Sequence, residues 1–322
     1  MADKSALSVQ PHGASVDDDI QHANNNNSSP SVTTASDLDD SYAIYKGRTS
    51  LDIDPAEAKK VLRKIDIRIL TVLFVTYLLQ YLDKNGINYA SVYGLQKGTH
   101  LHGQEYSWLS SIFYFGYMVA QYPAGYALQR LPIGKVLSYT TIAWGVILLT
   151  TPACHNFAGI ATNRFLLGFV ESAINPGFVL IMGMWYTAQE QPVRLETYYC
   201  TNGIATMFGG LIGYAVGHIT TGLARWMYVF LIFGALSTAW GVVSLLVLPD
   251  SPSTAKFLTR QERIIAVDRV ARNRQGIKNH VFRKYQMWQT FRDPKTYILF
   301  IMALAAQIPN SAITSVGCLP AT

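Results

Sequence analysis

Six apolar stretches follow one another in this chain, at about 69–90, 106–128, 134–154, 157–183, 196–220 and 227–248. A helix needs about 20 mainly apolar residues to span a bilayer, and each stretch is of that order. The links between them are short and poor in charge. Only seven basic and five acidic side chains lie between Ile69 and Leu248. A seventh apolar run, about 294–315, follows a basic stretch. Charged residues make up 14% of the chain, where a soluble globular protein is nearer a quarter. The sequence therefore reads as an all-α integral membrane protein.

The remaining charge sits at the two flanks of the six runs. Four regions follow: a polar tail over 1–53, a six-helix transmembrane bundle over 54–248, a basic loop over 249–293, and a seventh transmembrane helix within 294–322. The tail, with HANNNNSSPS and DLDD, is too poor in apolar side chains for a packed core or for the apolar centre of a signal peptide. It is expected to be disordered and cytoplasmic. Order is expected to begin at DPAEAKKVLRKID, where Asp54 suits a helix cap, Pro55 the first helical position and Glu57 a capping box. In the loop, Thr259 and Glu262 carry the same signature. The helix that follows them reads either as amphipathic, along the membrane or under the bundle, or as a charged linker.

Basic residues favour the cytoplasmic ends of spans. Lys59, Lys60, Arg63, Lys64 and Arg68 precede the first span, Arg130 and Lys135 follow the second, Arg194 follows the fourth, and ten basic residues lie in the loop after the sixth. The intervening links hold Lys97 and Arg225 and little else. The N-terminus and the long loop are thus expected in the cytoplasm, with the plasma membrane as the expected location.

Several chemistries have no support. Cys154, Cys200 and Cys318 stand far apart with no histidines at ligand spacing, which excludes a disulfide framework or a zinc motif. No phosphate-binding loop follows a strand pattern, and no GxSxG or HExxH motif occurs. The expectation is no enzyme, no cofactor, no metal and no nucleic-acid partner; the partners are the bilayer and a small solute.

Within the apolar runs, a few charges stand out. An ionisable group at the bilayer centre costs at least about 2.5 kcal/mol and commonly faces a polar cavity or a partner. In RFLLGFVESAINPGF, residues 164–178, Arg164 and Glu171 are seven apart. At 100° per residue they lie about 20° apart on one helix face, about 10 Å along the axis. Asn175 extends that stripe and Gly168 lies between the charges. The first span carries a second stripe of Tyr77, Tyr81, Lys84 and Asn88, while Asp83 points away from it, towards a helix break near Asn85–Gly86 or the neighbourhood of Lys84. Two cations and one acid on two polar lines suggest an anion site. A guanidinium gives a carboxylate two parallel hydrogen bonds and an ammonium adds a point charge. A carboxyl held out of water favours its protonated form, which suits Glu171 to carry a proton. Structural pairing of Arg164 with Glu171, and snorkelling of Lys84, are the alternatives. In span five, Asn202, Thr206, Gly209 and Gly213 share a face, and Gly209, Gly213 and Gly217 repeat at the small-residue spacing of close helix packing.

These motifs resemble those of one family. YLDKNGINYASVYGL, RFLLGFVESAINPGF, LPDSPSTAKFLTRQER and FRDPKTYILF, at these separations across about 54–315, are similar to the N-terminal half of major facilitator superfamily transporters, within the anion:cation symporter group and its fungal allantoate-permease branch. The resemblance implies a six-helix bundle of inverted three-helix repeats that rocks around a midplane site. It implies substrate contacts at Lys84 and Arg164 and proton coupling at Glu171; the two stripes themselves add Tyr81, Asn88 and Asn175 as candidate substrate contacts. It also implies a gating loop at Gly125, Arg130 and Lys135, where Gln129 replaces the usual aspartate. Transporters of this kind run to twelve helices, so the expectation is a sequence cut short after the seventh, or a chain that pairs with a second transporter half. The expected function is proton-coupled import of a small organic anion such as allantoate, ureidosuccinate or a vitamin-like carboxylate. The competing expectation is a non-transporting half-bundle that regulates or assembles with a full transporter.

Overall fold

The computed structural model describes residues 54–219, 222–271 and 284–316. The expected disordered tail, the middle of the basic loop and the last six residues lie outside the described residues.

The first described helix starts where its capping chemistry begins. Asp54 accepts a hydrogen bond from the Ala56 N–H at 3.0 Å and Pro55 opens α1, Pro55–Ile65. A π-helical turn, Asp66–Leu70, joins α1 to α2, Thr71–Val92. Then come a one-turn helix α3, Leu95–Gly98, α4, Glu105–Arg130, and α5, Ile133–Thr150. The fourth apolar run is two helices, α6, Phe157–Glu171, and α7, Ile174–Trp185. Pro176 explains the break: it has no N–H, and its ring excludes the carbonyl of Ser172 from the helical ladder. The chain therefore leaves the α-helix directly after Glu171. After α8, Gln191–Tyr199, come α9, Thr201–Gly217, and α10, Arg225–Val247. The loop carries α11, Arg260–Ala271, and α12, Lys284–Arg292, and the chain continues into α13, Pro294–Val316.

Four stretches among the described residues are long and apolar enough to cross a membrane: Pro55–Val92, Ile133–Ala153, Phe157–Trp185 and Arg225–Val247. The helix α9 has 17 residues, several of them glycine, and α4 mixes tyrosine, serine and glutamine into its apolar surface, which lowers the hydropathy of both.

The packing maps onto itself when the first three spans are exchanged with the last three. Helix α4 packs on α6 as α9 packs on α2; α5 packs on α6 as α10 packs on α2; α5 and α10 pack on each other. That is the pattern expected of an inverted repeat. Small residues set the close approaches, as membrane helices require in the absence of a hydrophobic drive between them. A Cβ on Gly116 would strike the Phe165 carbonyl, and one on Gly168 the Phe113 carbonyl, so α4 and α6 meet backbone to backbone. Gly145, Gly234 and Gly241 do the same between α5 and α10. The spaced glycines of α9 receive Tyr89 of α2 and Tyr93, the residue that caps its end: Tyr89 packs on Gly209, and the Tyr93 hydroxyl donates to the Gly213 carbonyl at 2.5 Å.

The first part of the basic loop, as far as Ala271, is docked rather than loose. Thr259 and Glu262 form the reciprocal capping box, at 2.9 and 3.3 Å. Helix α11 buries Ala266, Val267 and Val270 and packs against α1 and α7. Ion pairs hold it: Lys64 with Glu262, and Arg269 with both carboxylate oxygens of Glu190 at 2.5 and 2.7 Å. Beside it, Arg194 grips Asp66 with two parallel hydrogen bonds, at 2.7 and 2.8 Å. The hydrogen bonds to Asp66 raise the pKa of the Arg194 guanidinium above its ordinary value.

Candidate functional site

Helix α6 brings both its charges into the bundle interior, whereas Lys84 of α2 stays exposed. Arg164 is buried, 4% exposed, with its guanidinium carbon 5.4 Å from the centroid of the Phe230 ring on α10. Glu171 is buried, 3% exposed, against the side-chain amide of Gln80, within electrostatic reach of Lys84 and Arg164. Lys84 is open to solvent on one side and places its ammonium 5.1 Å from the centroid of the Tyr114 ring on α4. Among the described residues, Lys84, Arg164 and Glu171 form no ion pair with one another or with any other group. Arg164 Nη2 and Glu171 Oε2 have no hydrogen-bond partner there.

The neutral residues of the stripes divide. Asn175, in the first turn of α7, donates to the Tyr117 hydroxyl at 3.2 Å, and Tyr117 lies within electrostatic reach of Glu171 and Lys84. Tyr81 lies within reach of Tyr77, which packs its ring against Tyr198 and Tyr199, centroids 5.1 and 5.4 Å away. Asn88 is a turn beyond Lys84, where its amide oxygen accepts from the Tyr106 hydroxyl at 3.1 Å. Lys84, Arg164, Glu171 and Asn175 thus share one polar region walled by tyrosines; Asn88 borders it through Tyr106, which neighbours Arg164.

Asp83 departs from both sequence expectations. Helix α2 runs unbroken through Asn85 and Gly86, so there is no break to cap. Asp83 is 1% exposed in the centre of the bundle and accepts from the Trp144 indole N–H on α5 and from the Ser237 hydroxyl, at 2.8 Å, on α10. Its Oδ1 has no described partner, and Arg164 and Glu171 are its charged neighbours. Gln80, 6% exposed, was also outside the sequence reading. Helical spacing finds residues that share a face with each other, whereas these two are defined by what α5, α6 and α10 place opposite them.

The expected gating loop lies at the other end of α4. Arg130 stacks over Tyr126, 5.3 Å to the centroid, and nothing lies within 4 Å of a Cβ built on Gly125. The Lys135 N–H donates to Asp250 Oδ1 at 3.1 Å. Pro132 precedes α5 and offers no side-chain cap, so Asp250 from LPDSP supplies the acceptor at that helix N-terminus, where a negative charge is favourable. The loop lacks an aspartate at position 129 but is braced by one from the end of α10.

Residues 73–317 match the family model described as Major Facilitator Superfamily. The chain is 43% identical over 275 residues to an uncharacterized transporter of Schizosaccharomyces pombe, covering 85% of this chain and 52% of that protein. It is 30% identical over 283 residues to the allantoate permease of Saccharomyces cerevisiae, covering 86% and 52%. It is 36% identical over 256 residues to the thiamine pathway transporter THI73 of the same yeast, covering 79% and 49%. The chain spans about half the length of the curated relatives it matches. An all-helical bundle with an inverted-repeat packing pattern, matched over three quarters of its residues by one family model, leads to one conclusion: the chain belongs to the Major Facilitator Superfamily, among fungal transporters that include an allantoate permease.

Proposed function

We propose that this chain forms the Lys84–Arg164–Glu171 side of a proton-coupled importer of a small organic anion. It would work in the plasma membrane, with the N-terminus in the cytoplasm, and a second six-helix bundle would complete the cavity. The observation that carries this reading is the convergence of Lys84, Arg164 and Glu171 on one polar region without an ion pair among the described residues. An unpaired buried charge is costly, and a site that awaits an anion is a reason to keep one. Arg164 offers a carboxylate a planar pair of donors, and Lys84 offers a point charge on its open side.

Electrostatics favour the coupling. Glu171 stands within electrostatic reach of Lys84 and Arg164, so an anion held by those cations brings negative charge close to it, and a proton on Glu171 relieves the repulsion. Anion and proton therefore favour each other's presence, which is the requirement for symport. Allantoate, as in the name of one relative, is a carboxylate of suitable charge, and nicotinate and ureidosuccinate share its chemistry.

The test is uptake of labelled allantoate, ureidosuccinate and nicotinate by yeast cells that lack their own carriers and express this protein. The reading predicts saturable accumulation of at least one of them, faster at pH 5 than at pH 7.5 and abolished by a protonophore. Accumulation that ignores pH and protonophore would remove the coupling. Failure of all three by protein that reaches the membrane would remove the anion reading.

A further inference from the structure

Helix α12 presents an exposed aromatic face that the transport reading does not use. Tyr285, Trp288 and Phe291 are 65%, 64% and 58% exposed. At 100° per residue these three and Arg292 fall within an arc of about 120°, with Gln289 and Thr290 outside it. The Trp288 and Phe291 rings lie 6.3 Å apart, and Arg292 shares an open hollow with Tyr285 and Trp288. Three large aromatic side chains on one side of a nine-residue helix are too many to leave in water without a partner.

The height of this helix follows from its junction. Only Asp293 separates Arg292 from Pro294, the first residue of α13. Asp293 caps α13 by accepting from the Lys295 N–H in the first turn, at 3.0 Å, and the Tyr297 hydroxyl donates back to the Phe291 carbonyl at 2.8 Å. The two helices are thus tied within one turn. When α13 crosses the bilayer, α12 is held at the level of the lipid headgroups. Tyrosine and tryptophan favour that level, and Arg and Lys there attract anionic lipid. Arg292 and Lys295 bracket the junction, Arg283 precedes the helix in sequence and Lys284 opens it, and the one nearby acid, Asp293, is occupied as a cap.

We propose that α12 lies on the membrane surface with its aromatic face in the headgroup layer, and that Arg292, which lines the hollow with Tyr285, Trp288 and Gln289, selects anionic phospholipid. The proposal rests on the reading that α13 crosses the membrane. It adds a lipid contact at the start of the seventh span, separate from the anion site.

The experiment uses the full chain in vesicles whose phosphatidylcholine or phosphatidylserine is brominated near the headgroup. Bromine quenches tryptophan at short range, and the difference between the unaltered chain and Trp288→Phe isolates Trp288 from the other tryptophans. The expected result is stronger quenching of Trp288 by the brominated serine lipid at equal mole fraction. That preference should fall about fivefold in Arg292→Gln, the effect of one basic side chain at an anionic surface, and shrink at high salt. Equal quenching by the two lipids overturns the selectivity, and no quenching by either overturns the surface placement. If Trp288 fails while the other tryptophans are quenched, this proposal falls and the membrane reading stands. If none is quenched, both fall.

Discussion

Arg164 on α6 holds its guanidinium 5.4 Å from the ring of Phe230 on α10, with Nη2 buried and lacking a hydrogen-bond partner among the described residues. The ring faces the cation without neutralising it, and in the proposed function the buried Nη2 is the donor that an incoming carboxylate would take. Arg164→Ala is expected to reduce anion uptake at least about a hundredfold, from the loss of a desolvated bidentate contact. Arg164→Lys keeps the charge but not the fork, and should recover no more than about a tenth of the activity. Uptake kinetics with surface expression matched check both.

Asp83 joins α2 to α5 and α10 through Trp144 and Ser237. Asp83→Ala leaves a buried indole N–H and hydroxyl without their acceptor, at about 1–3 kcal/mol each. The thermal unfolding midpoint of the detergent-solubilised chain should drop by several degrees. Asp83→Asn keeps an acceptor oxygen and should lose much less. Equal losses in the two variants would show that these hydrogen bonds are not what Asp83 contributes.

The crossing of α4 and α6 is set by glycine. Gly168→Ala places a methyl group against the Phe113 carbonyl, so the helices must separate, at about 1–3 kcal/mol. Gly125→Ala meets nothing within 4 Å and should keep stability or raise it by up to about 1 kcal/mol through helix propensity. The two melting curves, compared side by side, test whether contact or helix propensity decides.

At the bundle's base, the Lys64 ammonium and the capping bonds of Thr259 hold the Glu262 carboxyl below its ordinary range. A carboxyl depressed in the folded state stabilises above its unfolded pKa, and that contribution disappears as pH falls through the folded value. Docking of α11 should therefore be constant at neutral pH and weaken only in acid, below about pH 4. Hydrogen exchange of α11 against pH should show the step in the unaltered chain and lose it in Glu262→Gln.

Much of this was legible in the residues. Runs of apolar side chains marked the long helices, four of which are apolar enough to cross a membrane, and caps such as Asp54 and Thr259 marked helix starts, because their chemistry is local. The 164–171–175 stripe was legible for a related reason: its members follow one another within a single apolar run. The break after Glu171 has its cause in Pro176, and it ends α6 at the acid itself. Asp83 was not legible. Its partners stand 61 and 154 residues away, and periodicity along α2 says nothing about an indole on α5. The brace from Asp250 to the α5 N-terminus escaped for the same reason, across 115 residues.

Anion and proton are proposed to meet between Arg164 and Glu171, and everything else in the transport reading depends on that meeting. The most direct measurement is substrate-driven proton entry, read by a pH-sensitive dye in the cytoplasm of cells expressing the chain when allantoate, or whichever carboxylate they accumulate, is added outside. The expected result is acidification in the unaltered protein and none in Glu171→Gln, while Glu171→Gln still exchanges labelled for unlabelled substrate. Undiminished acidification in Glu171→Gln, or loss of exchange together with acidification, would contradict it.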